Sequence, residues 1–138
     1  MGLSKLYRTS EQLASAGAPM TVAPGVVFYV RSAKSPEFRA AFAAAVAPVQ
    51  QLFDAGLLDA ETQRKLFIEA LAIGGITGWS TDGASYVVID DETPSLEFSP
   101  DNARIVLSAL PNLADDVWAF ARERSNYLAS RAERAGKA

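Results

Sequence analysis

Histidine and cysteine are both absent from this chain. Their absence removes thiol nucleophiles, zinc and iron–sulfur sites, and every histidine-based general base or triad. Acids are then the first residues to test for chemistry. Asp82, Asp90, Asp91 and Glu92 offer oxygen ligands for a hard cation, but they lack the alternating spacing of a calcium loop. Asp82-Gly83 is already explained as a tight turn. Glycoside hydrolysis needs two acids set apart from the others, and no one pair stands out among the sixteen present. Gly74-Gly75 with Gly78 resembles a phosphate-binding loop only loosely. No Walker loop, GxGxxG or GxSxG occurs and no phosphate-binding lysine follows. A helix end followed by a turn accounts for these glycines. The residues therefore point away from an enzyme, and neither a metal nor a cofactor is expected.

Binding chemistry is better represented. Arg124, Arg131 and Arg134 partly share a helix face, but Glu123 and Glu133 interrupt them and no aromatic stacking platform accompanies them. A basic helix end is also what the helix dipole favours, so nucleic-acid binding is not expected. Trp79 and Trp118, the two tryptophans, are either core or contact residues, because each ring buries so much area. Trp79 beside Gly78, if carried on a loop, would be a binding anchor. Tyr86, Phe98 and Tyr127 complete the candidate partner-binding set with these two tryptophans.

The whole chain sets the frame for these residues. Its 138 residues make one domain, 1–138, able to bury a sizeable core without a disulfide or metal staple. Net charge is only −3, but it is unevenly placed. Residues 1–40 hold five cations against two acids, net +3; residues 41–121 hold three against twelve, net −9; residues 122–138 hold five against two, net +3. Ordinary solvated faces explain this pattern, and so would subunits that meet basic end to acidic middle, which makes a homo-oligomer an option. Met1-Gly-Leu-Ser-Lys5 has no apolar core behind its cation, so a secretory signal is not expected. No apolar run approaches the roughly 18 residues of a membrane span.

Several elements must position these residues. Residues 1–19 read as a short helix capped by Ser10, or as an extended arm of uncertain order. Met20-Thr-Val22 and Val26-Val-Phe-Tyr-Val30, joined through Pro24-Gly25, predict a β-hairpin that must pack on helices. Ser35-Pro36-Glu37 is a strong helix start. That helix carries Phe38, Phe42, Val46, Val49 and Phe53 on one stripe, with Pro48 set to kink or split it and Gly56 to close it. Asp59 caps a second, antiparallel helix burying Leu66, Phe67, Ala70, Leu71 and Ile73, and Gly74-Gly75 end it.

The stretch 78–102 then reads as a hinge between two helical pairs. Tyr86-Val-Val-Ile89 and Leu96-Glu-Phe98 are short strand candidates around the polar Asp90–Pro94 loop. Ser99-Pro100-Asp101 repeats the helix-start formula for a helix over 100–110, burying Ala103, Val106, Leu107 and Leu110. Pro111 stops it and Asn112 can cap the next. The last helix is expected to be the longest, 113–135, with Leu113, Val117, Phe120, Ala121, Arg124 and Leu128 on its stripe. Its end, 129–138, should fray or project. The fold class is therefore α+β, mainly α: about four helices, a small N-terminal β-hairpin and room for a short central hairpin.

In order and spacing, these motifs resemble the tail assembly chaperones of long-tailed bacteriophages. The likeness lies in Phe28-Tyr-Val-Arg31 followed by Ser35-Pro36-Glu37-Phe38. It continues in Gly78-Trp79, in Asp82-Gly83, and in Leu96-Glu-Phe-Ser-Pro-Asp-Asn102. A final helix rich in alanine and aromatics follows. The likeness spans about residues 18–130, and the Tyr86-to-Pro94 segment is an insertion relative to it. The resemblance implies a non-enzymatic protein of the bacterial host cytoplasm. Such a protein binds the helical tape-measure protein, gives way to tail tube subunits, and is missing from the mature virion. The alternative is a minor tail or tail-completion protein that stays in the particle.

Overall fold

The structure is a computed structural model that describes Leu3 and residues 8–128. The expectations for residues 129–138, including Arg131 and Arg134, lie outside the described residues.

Chain order begins with a short helix α1 (Glu11–Ala16), whose first turn is capped by Ser10 Oγ accepting from the Leu13 amide. Strands β1 (Ala18–Ala23) and β2 (Val26–Val30) form the expected hairpin, with Gly25 at φ +80° in its turn. Helix α2 (Pro36–Val46) starts at Ser35 as its sequence requires, the hydroxyl accepting from the Phe38 amide. Pro48 then splits the helical run into a 3₁₀ turn, Ala47–Val49, and a short helix α3 (Gln50–Asp54). Helix α4 (Ala60–Ala70) is capped by Asp59, which accepts from the Thr62 amide at 2.7 Å.

The stretch read as a hinge departs from expectation. Helix α4 passes into a π-helical segment, Leu71–Gly75, and the chain leaves it directly as strand β3 (Ile76–Thr81). β3 pairs antiparallel with β2, setting Phe28 opposite Trp79 and Tyr29 opposite Gly78. The N-terminal hairpin is thus part of a three-stranded sheet, β1-β2-β3. Gly74 explains the glycine pair: a Cβ there would lie 2.5 Å from the Ala41 Cβ and 2.7 Å from the Glu37 carbonyl oxygen. The glycine lets α2 cross the π segment closely, a packing requirement at the point where, as expected, the glycine pair ends the helical run.

The central hairpin forms, but it is brief. Strands β4 (Tyr86–Val87) and β5 (Leu96–Glu97) pair Tyr86 with Glu97 and Val87 with Leu96. Helix α5 (Pro100–Ala109) begins at the Ser99 cap, and helix α6 (Pro111–Arg122) follows almost without a break. Asn112 does not cap α6; Leu110 occupies that position and no side chain caps the helix. The last helix is also shorter than expected. It ends at Arg122, Glu123 is extended, and Arg124–Tyr127 is a 3₁₀ turn. Glu123 accepts from the Ser125 amide and starts that turn, and Tyr127 swings inward. Arg124 and Leu128 therefore do not continue the stripe of α6.

Helices cover one face of the sheet. Phe28, Val30, Ile76 and Trp79 from the sheet meet Phe38, Ile68, Leu71, Val106, Leu107 and Val117 from the helices in one core. A second, smaller cluster joins Ala14, Ala18 and Tyr127. Ile73 and Leu110, expected inside, are exposed, and Ile68 takes the buried place on α4. The π segment shifts the helical phase after Ala70, which turns Ile73 outward. Architecture is α+β and mainly α, as the sequence patterns imply.

Candidate partner-binding surface

Five aromatic or tyrosyl residues stand out in the sequence, and the fold separates them. Trp79 is 3% exposed on β3, inside the core. Its indole N–H donates to the Leu96 carbonyl oxygen at 2.9 Å, and its ring lies 5.4 Å from Phe28 and 5.1 Å from Phe98. The expected anchor is thus a clamp between the sheet and the central hairpin, not a contact residue. Phe98 is half-buried beside it, and Tyr86 is half-buried on β4, paired with Glu97. Tyr127 is 1% exposed and its hydroxyl donates to the Val30 carbonyl oxygen. Burial pushes that phenol well above its ordinary pKa of 10.0. Of the five, Trp118 is half-buried and bordered by two open depressions.

Trp118 belongs to a group that the sequence patterns did not mark as a site. Phe38 and Phe42 lie one turn apart on α2, with ring centroids 6.3 Å apart. Phe42 reaches Phe53 at 5.7 Å and Phe67 at 5.4 Å. Phe67 and Phe38 reach Trp118 at 5.0 and 5.6 Å. One aromatic run thereby joins α2, α3, α4 and α6, and such pairs add specific geometry to apolar burial. Arg122, one turn after Trp118, sets its guanidinium 5.0 Å from the indole centroid. The i,i+4 spacings Phe38/Phe42 and Trp118/Arg122 were the signal available in the sequence.

Two depressions flank the indole. The larger, about 620 Å³, is lined by Ala33, Phe38, Arg39, Ala40, Phe42 and Ala43. The smaller, about 250 Å³, runs between Phe67 and Ile68 of α4 and Ala114 and Asp115 of α6. Arg64 and Asp115 pair across its mouth at 3.4 Å. In the larger depression the lining is aromatic carbon, alanine methyl groups and one guanidinium, which can bind an apolar face but supplies no base or nucleophile. A third cleft, about 770 Å³, is lined by Ser32, Lys34, Ser35, Arg122 and Tyr127 among others. Its buried serines are already engaged: Ser32 Oγ accepts from the Lys34 amide in a local turn, and Ser35 Oγ from the Phe38 amide as a helix cap.

Several of the acids have structural partners. Asp90 Oδ1 accepts from the Glu92 amide and the Thr93 hydroxyl donates to the Asp90 carbonyl, so this acidic loop is a self-capped turn. Asp82 adopts φ 50° in the turn with Gly83. Among the described residues no group of three or more acids could hold a metal ion, and no helix is long and apolar enough to cross a membrane. Glu69 chelates Arg104 through two bonds of 2.6 and 2.8 Å. The Arg104 hydrogen bonds hold the Glu69 carboxyl below its ordinary range.

No curated protein and no solved structure matches the chain. A family model does match, that of the YdaY prophage protein, over residues 33–138. The matched segment begins just before α2 and contains every residue of the Trp118 aromatic run. It bears out the phage or prophage origin that the resemblance implied and is silent on tail assembly. With well over half of its length matched, the chain belongs to the YdaY prophage protein family.

Proposed function

We propose that the protein is a non-enzymatic tail assembly chaperone of the host cytoplasm that holds the tape-measure protein until tail tube subunits replace it. The half-buried aromatic surface around Trp118 carries this reading. A tape-measure chain exposes apolar helix faces before the tube encloses it, and a shallow apolar groove between helices is the natural receptor for one. The surface is modest in size, which suits a complex that must later be displaced. Membership of a prophage family supports the setting. Co-expression with the tape-measure protein of the same prophage is the test. Co-purification that falls with Trp118→Ala, together with loss of tails on deletion, is the expected result. Absence of association, with tail assembly unaffected by deletion, would overturn it.

A second reading has one observation in its favour. β1 is an edge strand of the sheet, and an open edge can be extended by a neighbouring subunit in an assembled particle. That reading makes the protein a minor tail or completion component. Mass spectrometry of purified virions separates the two, because the chaperone is missing from them and the component is present.

A further inference from the structure

The geometry points to a particular partner chemistry for the Trp118 surface: one amphipathic α-helix whose apolar face is flanked by acidic residues. This inference rests on the chaperone reading and narrows what that reading leaves open. The exposed methyl groups of Ala40 and Ala43 form one wall of the larger depression, so a helix can approach α2 closely there. The depressions on the two sides of the indole can each take an apolar side chain of such a helix.

Charge selects the flanks. Arg39 lines the larger depression, Arg122 covers the indole, and Lys34 follows Ala33, which lines both this depression and the adjoining cleft. All three are exposed. Among the described residues, none of the three pairs with a carboxylate; the ion pairs there engage Arg64, Lys65 and Arg104 instead. These three cations border the larger depression, while the acid lining the smaller one, Asp115, is paired with Arg64, so the unpaired charge that the two depressions present is positive. Such a charge favours an acidic partner and repels a basic one.

The test uses the full chain and labelled helical peptides of about 20 residues, long enough for a stable amphipathic helix. One peptide carries Leu on one face with Glu on both flanks. A second replaces Glu by Lys, and a third scrambles the Leu positions. Anisotropy should show the Glu-flanked peptide binding at least about tenfold more tightly than the other two, and more tightly still at low salt. Trp118→Ala should lose about tenfold or more. Ala43→Glu, which leaves the aromatic run intact, should do the same if the helix lies on α2. Arg39→Glu with Arg122→Glu should invert the preference toward the Lys-flanked peptide.

Equal binding of the Glu- and Lys-flanked peptides would overturn the inference and leave the chaperone reading standing. If neither helix binds while the tape-measure protein still co-purifies, the partner uses another face and the inference fails. If the wild-type chain is a dimer that Ala43→Glu dissociates, a second copy occupies the surface, which also overturns it.

Discussion

The Tyr127 hydroxyl donates to the Val30 carbonyl oxygen at 3.0 Å, inside the core. This bond ties the end of the described chain to the central strand of the sheet, and it explains why the last helix stops where it does. Continuing the helix past Arg122 would carry Tyr127 out of the pocket it shares with Ala14 and Ala18. Tyr127→Phe should therefore cost about 1–2 kcal/mol in urea unfolding, because the acceptor is left unpaired. The folded-state pKa is raised, so this contribution is full below pH 10.0 and is lost as the pH climbs above it. The variant should show a shallower loss of stability in alkali than the wild type.

Trp79 is expected to behave as a core residue. Trp79→Phe keeps a ring against Phe28 and Phe98 but abandons the Leu96 carbonyl. It should cost about 1–3 kcal/mol, and Trp79→Ala about 3–5 kcal/mol. Partner affinity, measured on the folded fraction, should stay at the wild-type level for Trp79→Phe. A selective loss of affinity without loss of stability would make Trp79 a contact residue after all.

Two glycines separate a packing requirement from an open strand position. Gly74→Ala pushes a methyl group against Ala41 and the Glu37 carbonyl, both backed by helix α2, and should cost about 1–3 kcal/mol. Gly78→Ala meets only the Tyr29 ring at 4.0 Å and should be nearly neutral. Paired thermal melts decide this. A tolerated Gly74→Ala would show that α2 crosses the π segment less closely.

The contrast between those glycines also shows what the sequence could carry. The caps at Ser35, Asp59 and Ser99, the split at Pro48 and the N-terminal hairpin are local events, governed by residues within a few positions, and they were legible. Strand β3 was not, because Gly74, Gly75 and Gly78 read as loop punctuation. Ile76, Thr77, Trp79 and Thr81 carried a strand preference that the glycines masked. What makes Gly78 acceptable in a strand is Tyr29 across the ladder, a partner 49 positions away. The site was hidden for the same reason. Trp118 was marked as a single residue, but Phe38, Phe42, Phe53 and Phe67 join it only through tertiary packing.

Glu69 and Arg104 give the acid-side prediction. The Arg104 hydrogen bonds depress the Glu69 pKa, so the pair stabilises the fold fully above the ordinary value of 4.5. Its contribution is lost as the pH falls below that value through the folded one. Both side chains are 36% exposed, so solvent screening limits the contribution to about 0.5–1 kcal/mol. Glu69→Gln should be less stable than the wild type at neutral pH, and the two should converge in acid. A constant gap from neutral pH down to pH 3 would contradict this.

Site-specific photo-crosslinking tests the central claim most directly. A photoreactive amino acid replaces Ala43, exposed beside the Trp118 depression, or Tyr29, exposed on the opposite face of the sheet. Irradiation follows prophage induction. The account expects tape-measure peptides joined to position 43 and not to position 29. Tape-measure adducts at position 29, or tail tube or virion components alone at position 43, would contradict it.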